Sequence, residues 1–212
     1  AWLLDARRAQ AAGQGERLSQ ALAPLFAAGF DSVSARLLLG NQVRLQGDRQ
    51  GALAHYRAAL KVLPDDYGVL GAVMSLVDEL GDEKGFLAWG ERVCNASQAD
   101  ARLGLELSER ARIRGETERG KRLAQLALEI APFLPRTHLI LARALVGEDP
   151  ATAVKHLRLG LALGPERAAP FRGELAFALM RAGAGEEARA EAEAALRLEP
   201  DLKVAQDVLN SL

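Results

Sequence analysis

The side chains of this chain with most chemistry to offer are three histidines, one cysteine and a large excess of arginine over lysine, 22 against 5. His55, His138 and His156 are dispersed, and none stands at metal-ligand spacing from another His or from Cys94. His138 and His156 fall on different predicted helices, so no ligand pair is expected from them. Gly13-Gln14-Gly15 reads as a turn, because no strand precedes it and no Gly-Lys-Ser/Thr follows to cradle a phosphate. Glu186, Glu187, Glu191 and Glu193 read as a solvated helical face, not a general acid–base pair, and no serine has a plausible base nearby. The expectation is a chain without catalytic residues, cofactor or metal. Cys94, late in a predicted helix, reads as a small buried hydrophobe and leaves no internal disulfide possible.

Arginine chemistry is recognition chemistry. A guanidinium offers a planar fork of donors that meets a carboxylate in two parallel hydrogen bonds. The arginine excess is also what a GC-rich, bacterial genome produces. A formal net charge of −1 argues against a surface built for polyanions, so no nucleic acid is expected. With 49% apolar and 26% charged residues the composition suits a soluble protein with a real core. No stretch approaches the ~18–20 continuous apolar residues of a membrane span. The chain begins without Met and in mid-pattern, so we read it as a piece of a longer protein, its compartment open between cytoplasm and periplasm.

The elements that must position these groups repeat. Residues 33–66, VSARLLLGNQVRLQGDRQGALAHYRAALKVLPDD, read as two amphipathic helices joined at Gly47-Asp48 and closed by Pro64. Gly13, Gly47, Gly81 and Gly115 stand 34 residues apart, and Gly183 two periods further on. One such helix pair cannot bury its apolar face alone and must stack on its neighbours, so the period predicts a solenoid.

The unit resembles the tetratricopeptide repeat (TPR). Leu39-Gly40, Val43, Ala52, Tyr56, Ala59 and Pro64 stand at that pattern's seventh and eighth, eleventh, twentieth, twenty-fourth, twenty-seventh and thirty-second positions; Arg36 replaces the fourth-position tryptophan. The resemblance implies an all-α, right-handed TPR solenoid forming one open array over residues 1–212. Its expected parts are a truncated repeat 1–32, repeats 33–66, 67–100, 101–134, 135–168 and 169–200, and a last helix in 201–212.

Departures from the pattern carry their own expectations. Pro24 falls inside a predicted helix and should kink or end it. In repeat 67–100, Phe86 replaces the small twentieth residue, Gly90 replaces the aromatic one, and no proline closes the unit. Its second helix should therefore pack differently around Phe86 and Trp89. Repeat 135–168 is one residue short at its turn, where Asp149-Pro150 supplies an acidic cap followed by proline. Asp201 is the expected cap of the last helix, which shows Leu202, Ala205, Val208 and Leu209 on one face.

In TPR arrays, first-helix positions 2, 5, 9, 12 and 13 face the concave groove. The resemblance thereby nominates Asn41, Arg44, Ser75, Asp78, Arg102, Glu109, Arg112, Arg136, Arg143, Phe177, Met180 and Arg181 as groove residues. The lattice is uneven: Asp78 and Glu79, then Arg102, Arg112, Arg136 and Arg143 against Glu109, then an apolar end at Phe177 and Met180. Two readings follow. Either a partner segment places acidic groups on the arginines and an apolar side chain on Phe177 and Met180, or the arginines are solvated and pair with neighbouring acids. The match to carboxylate-clamp TPRs is poor, since Leu37 stands where their lysine belongs, although Asn41 fits.

The function expected is a protein-interaction scaffold that binds a protein or peptide segment, within a larger bacterial protein. One rival is the non-catalytic, substrate-recruiting arm of a glycosyltransferase or sulfotransferase. A second is a pentatricopeptide-like RNA binder, whose basic groove the acidic second full repeat does not match.

Overall fold

The computed structural model describes residues 2–28, 31–96 and 100–212. Ends of the expected repeats at 29–30 and 97–99 lie outside the described residues. The described residues form thirteen α-helices and no strand, as the helical period requires. Residues 1–97 and 98–212 make two compact units.

In the first unit the helices are α1 (Trp2–Ala11), α2 (Gly15–Ala27), α3 (Val33–Leu45), α4 (Arg49–Val62), α5 (Tyr67–Glu79) and α6 (Glu83–Ala96). In the second they are α7 (Ala101–Ile113), α8 (Thr117–Ile130), α9 (Pro135–Leu145), α10 (Pro150–Ala162), α11 (Ala168–Arg181), α12 (Gly185–Leu198) and α13 (Lys203–Ser211). From α1 to α11 each odd-numbered helix pairs with the even-numbered helix that follows it, and first helices also touch the first helix of the next repeat: α1 with α3, and α7, α9, α11 and α13 in succession.

The turns explain the glycine period. Gly13, Gly47, Gly81, Gly115 and Gly183 all have positive φ, between 68° and 89°. That conformation costs an L side chain roughly 1–2 kcal/mol. It lets the next amide reach back five residues, as in Gln14 to Ala9, Asp48 to Val43, Asp82 to Val77, Glu116 to Ala111 and Ala184 to Leu179, at 2.8–3.2 Å. Orphan carbonyls at the helix end are satisfied in this way.

Helix starts are written just as locally. Ser32, Asp48, Asp66, Asp82, Asp100 and Asp149 each accept from a backbone amide two or three residues on, among them Gly51 N at 2.8 Å and Thr152 N at 3.0 Å. Asp149-Pro150 therefore replaces the glycine turn as expected. The expected end at Pro24 and the expected cap at Asp201 both fail. Helix α2 runs through Pro24 to Ala27. Its final turn packs Leu25 and Phe26 on the cluster of Ala6, Leu18, Leu22 and Leu38, and that burial outweighs one lost backbone bond. Asp201 does not cap the last helix; Leu202 holds the cap position without a side-chain bond.

The core alternates small and large residues. Ala52, Ala59, Ala124, Ala127, Ala153, Ala188 and Ala195 are fully buried, and so is Tyr56 between its repeat's two helices. A β-carbon on Gly40 would overlap the Tyr56 ring, and one on Gly160 would sit 2.7 Å from Phe171 Cε1. In repeat 67–100 Phe86, Leu87, Val93 and Cys94 are buried, and Arg92 lies over the Trp89 ring at 4.9 Å. Close helix approach at the small positions buries the large ones, each Leu or Val contributing about 1.5–3 kcal/mol.

Candidate functional site

In the first unit, α3 and α5 carry Asn41, Arg44, Ser75 and Asp78. The Tyr56 hydroxyl donates to Asn41 Oδ1 at 2.7 Å, so that amide oxygen is committed to the repeat's interior. Burial pushes the Tyr56 phenol above its ordinary value, which keeps it a donor. Arg44 donates to Ser75 Oγ at 3.2 Å and forms an ion pair with Glu79, which Arg49 joins at 3.5 Å. The hydrogen bond to Glu79 raises the Arg44 pKa further. Gly68 and Gly71, on the same helix as Ser75 and Asp78, leave α5 nearly bare: a β-carbon at Gly71 would meet nothing within 4 Å. Asp78 is exposed.

In the second unit the first helices α7, α9, α11 and α13 lie side by side. Arg143 on α9 stands at the centre: Nη1 donates to Glu109 Oε1 of α7 at 3.2 Å, and Nε donates to Glu174 Oε1 of α11 at 2.8 Å. Arg112 donates through Nε and Nη2 to Glu109 Oε2 at 3.2 and 3.0 Å. Burial disfavours the Arg143 charge, but Glu174 and Glu109 overcome it and hold the guanidinium above its usual pKa. Both arginines are paired with in-chain acids. Arg102 and Arg136 occupy the same register at the starts of α7 and α9, exposed and without an ion pair among the described residues.

Beyond Arg143 the face becomes apolar. Phe177 and Met180 of α11 and Val204 and Val208 of α13 line an open cleft of about 340 Å³, rimmed by Glu174, Lys203, Asp207 and Ser211. Arg181 is exposed at the end of α11. Sequence reasoning placed Phe177 and Met180 here but missed Glu174 and the α13 wall. Glu174 lies three residues before Phe177, within one helical stripe, and that spacing was the available signal. Val204 and Lys203 carried none, since α13 read equally as a cover or as a new repeat.

The histidines also differ from expectation. His138 on α9 and His156 on α10 do not stay apart: their Nδ1 atoms are 3.1 Å from each other. Antiparallel pairing of the two helices makes neighbours of residues 18 apart in sequence. His55 lies on α4, half-buried, and its pKa is lowered by burial and by Arg36. Among the described residues no group of three or more His, Cys, Asp or Glu could hold a metal ion. No helix among them is long and apolar enough to cross a membrane.

No protein-family model matches the chain. No curated protein matches it in sequence either. Solved structures do resemble it. YrrB, described as a TPR protein with an unusual peptide-binding site, is 14% identical over 90% of this chain and 97% of its own, with a TM-score of 0.67. The C-terminal part of a TPR repeat-containing protein from Cytophaga hutchinsonii is 18% identical over 98% of this chain and 86% of its own, TM-score 0.62. TTC0263, a thermophilic TPR protein of Thermus thermophilus, is 23% identical over 84% of this chain and 98% of its own, TM-score 0.52. The chain has the TPR fold.

Proposed function

We propose that this chain is a protein-interaction scaffold whose first-helix face in the second unit takes a partner segment. The observation that carries this is the α11–α13 cleft: an apolar floor of Phe177, Met180, Val204 and Val208 left open beside a charged, internally braced surface. A half-buried apolar cleft rimmed by polar groups favours a partner's apolar side chain over water. YrrB, with the same fold, is described as having a peptide-binding site, which supports reading this face as one.

The partner segment places one apolar side chain in the cleft, and its carboxylates meet Arg102 and Arg136, two groove arginines without an ion pair among the described residues. Arg112, Arg143, Glu109 and Glu174 act as a brace that spaces α7, α9 and α11. Arg44, Ser75 and Glu79 brace α3 against α5 in the first unit, with Asn41 held by Tyr56 and Asp78 exposed. The chain recruits and performs no catalysis.

A displayed library of random peptides selected on the chain, followed by fluorescence anisotropy of the best binders, tests this reading. Met180→Asp should weaken binding at least tenfold, and Arg102→Glu with Arg136→Glu should weaken acidic binders, the more so as salt falls. Reversals at Arg57 and Arg122 on second helices should leave affinity within twofold. Binders indifferent to Met180→Asp and to the arginine pair would refute the assignment.

A further inference from the structure

His138 is buried on α9, and His156 is half-buried on α10, with ring centroids 5.4 Å apart. His138 Nε2 lies 2.9 Å from the Pro132 carbonyl oxygen. A carbonyl only accepts, so neutral His138 carries its hydrogen on Nε2 and turns a lone pair on Nδ1 toward its partner. His156 must then donate from Nδ1 across the 3.1 Å contact, leaving its own Nε2 as the pair's open basic nitrogen. One added proton fits there with both contacts intact. A second would set two N–H groups head to head, and the contact would have to open.

What the contact holds is specific. It joins α9 to α10, while the Nε2–H of His138 separately holds the loop 131–134, whose Phe133 is 82% exposed, through the Pro132 carbonyl. Thr137 grips the same loop, donating to the Leu134 and Ala131 carbonyls at 2.6 and 3.1 Å. Among the described residues no ion pair competes for the histidines. On their own helices Arg136 and Lys155 are exposed, and Arg158 pairs with Glu187. On the helices packed against them, Glu129 of α8 is exposed, Glu109 of α7 and Glu174 of α11 hold Arg143, and Arg172 of α11 holds Glu191.

We propose that the His138–His156 pair is a proton-operated latch: closed with at most one added proton, it fixes α9 against α10, and a second proton opens that contact while His138 Nε2–H keeps its bond to Pro132. Burial, and then the neighbouring His138, hold the His156 pKa below its ordinary value. A folded-state value below the unfolded one means that His156 adds its full share of folding stability above the ordinary histidine range and loses it as pH falls through the folded value, before a second proton opens the contact. The device resembles other histidine switches in placing a titratable contact between two packed elements.

Long-range proton–nitrogen NMR of the whole chain, titrated from about pH 8 to 4.5, reads tautomers and protonation directly across the histidine range. His138 should show the Nε2–H form, His156 the Nδ1–H form, and the cross-relaxation between the two rings should fall with the pair's second protonation. Thermal melts supply the second reading. Wild type should lose several degrees more between about pH 7.5 and 5 than His156→Asn, whose amide donates in place of Nδ1–H but does not titrate. His55 is unchanged in both proteins, so its own pH dependence cancels. Equal pH dependence of the two melting temperatures, or rings that stay in contact once both are protonated, overturns the latch. If His156→Asn does not fold, the wild-type NMR titration decides alone.

Discussion

Arg143 Nε donates to Glu174 Oε1 at 2.8 Å, joining the first helix of one repeat to the first helix of the next. Both side chains are under a third exposed, at 28% and 16%. Replacing Arg143 by Met would leave Glu174 and Glu109 facing each other without their shared cation. Urea denaturation should show a loss of roughly 1–2 kcal/mol, between the worth of a surface pair and of a fully buried one. Glu174→Gln should recover part of that loss in the double variant; purely additive losses would mean that the brace carries no coupling.

Tyr56 and Asn41 make the same kind of statement inside one repeat. Tyr56→Phe keeps the ring that fills the space against Gly40 and removes the hydroxyl that donates to Asn41 and meets Arg44. The expected cost is about 1 kcal/mol, measured by thermal or chemical unfolding. A variant as stable as wild type would show that Asn41 finds water as good a partner.

Two glycine-to-alanine changes should have opposite signs. At Gly160 the new carbon would meet the buried Phe171 ring at 2.7 Å and His138 Cβ at 3.3 Å. Overpacking of that kind costs about 1–3 kcal/mol. At Gly71, in mid-helix with open space around it, alanine should stabilise by about 0.5–1 kcal/mol. Differential scanning calorimetry checks both, and a destabilised Gly71→Ala would refute the open face.

Native-state hydrogen exchange should find α6 less protected than α4 or α8. Where α4 has the fully buried Tyr56, α6 has Gly90, which packs no side chain. A glycine there carries about 1 kcal/mol of helix penalty. Equal protection in all three would mean that Phe86 and the Arg92–Trp89 stack make up the difference.

From the sequence by itself came the helices, their order and most of their turns and caps. Those are decided within a few residues: a glycine of positive φ at 47 or 115, an aspartate bonding the amide three positions on, an alanine wherever helices must approach. The stripe that nominates the groove residues was legible too, because it repeats every 34 residues along the first helices. Tertiary structure decided which charges remain available. Whether Arg143 meets a partner or Glu109 and Glu174 depends on side chains 34 and 31 residues away, brought together only by stacking. His138 meets His156, and Val204 walls the Phe177 cleft, for the same reason. Local bonds obey spacing along the chain, whereas contacts between helices obey the packing of whole repeats. Pro24 marks the boundary between the two: a breaker by local rule, it stays within α2 because Leu25 and Phe26 pack, half-buried, on the core beyond it.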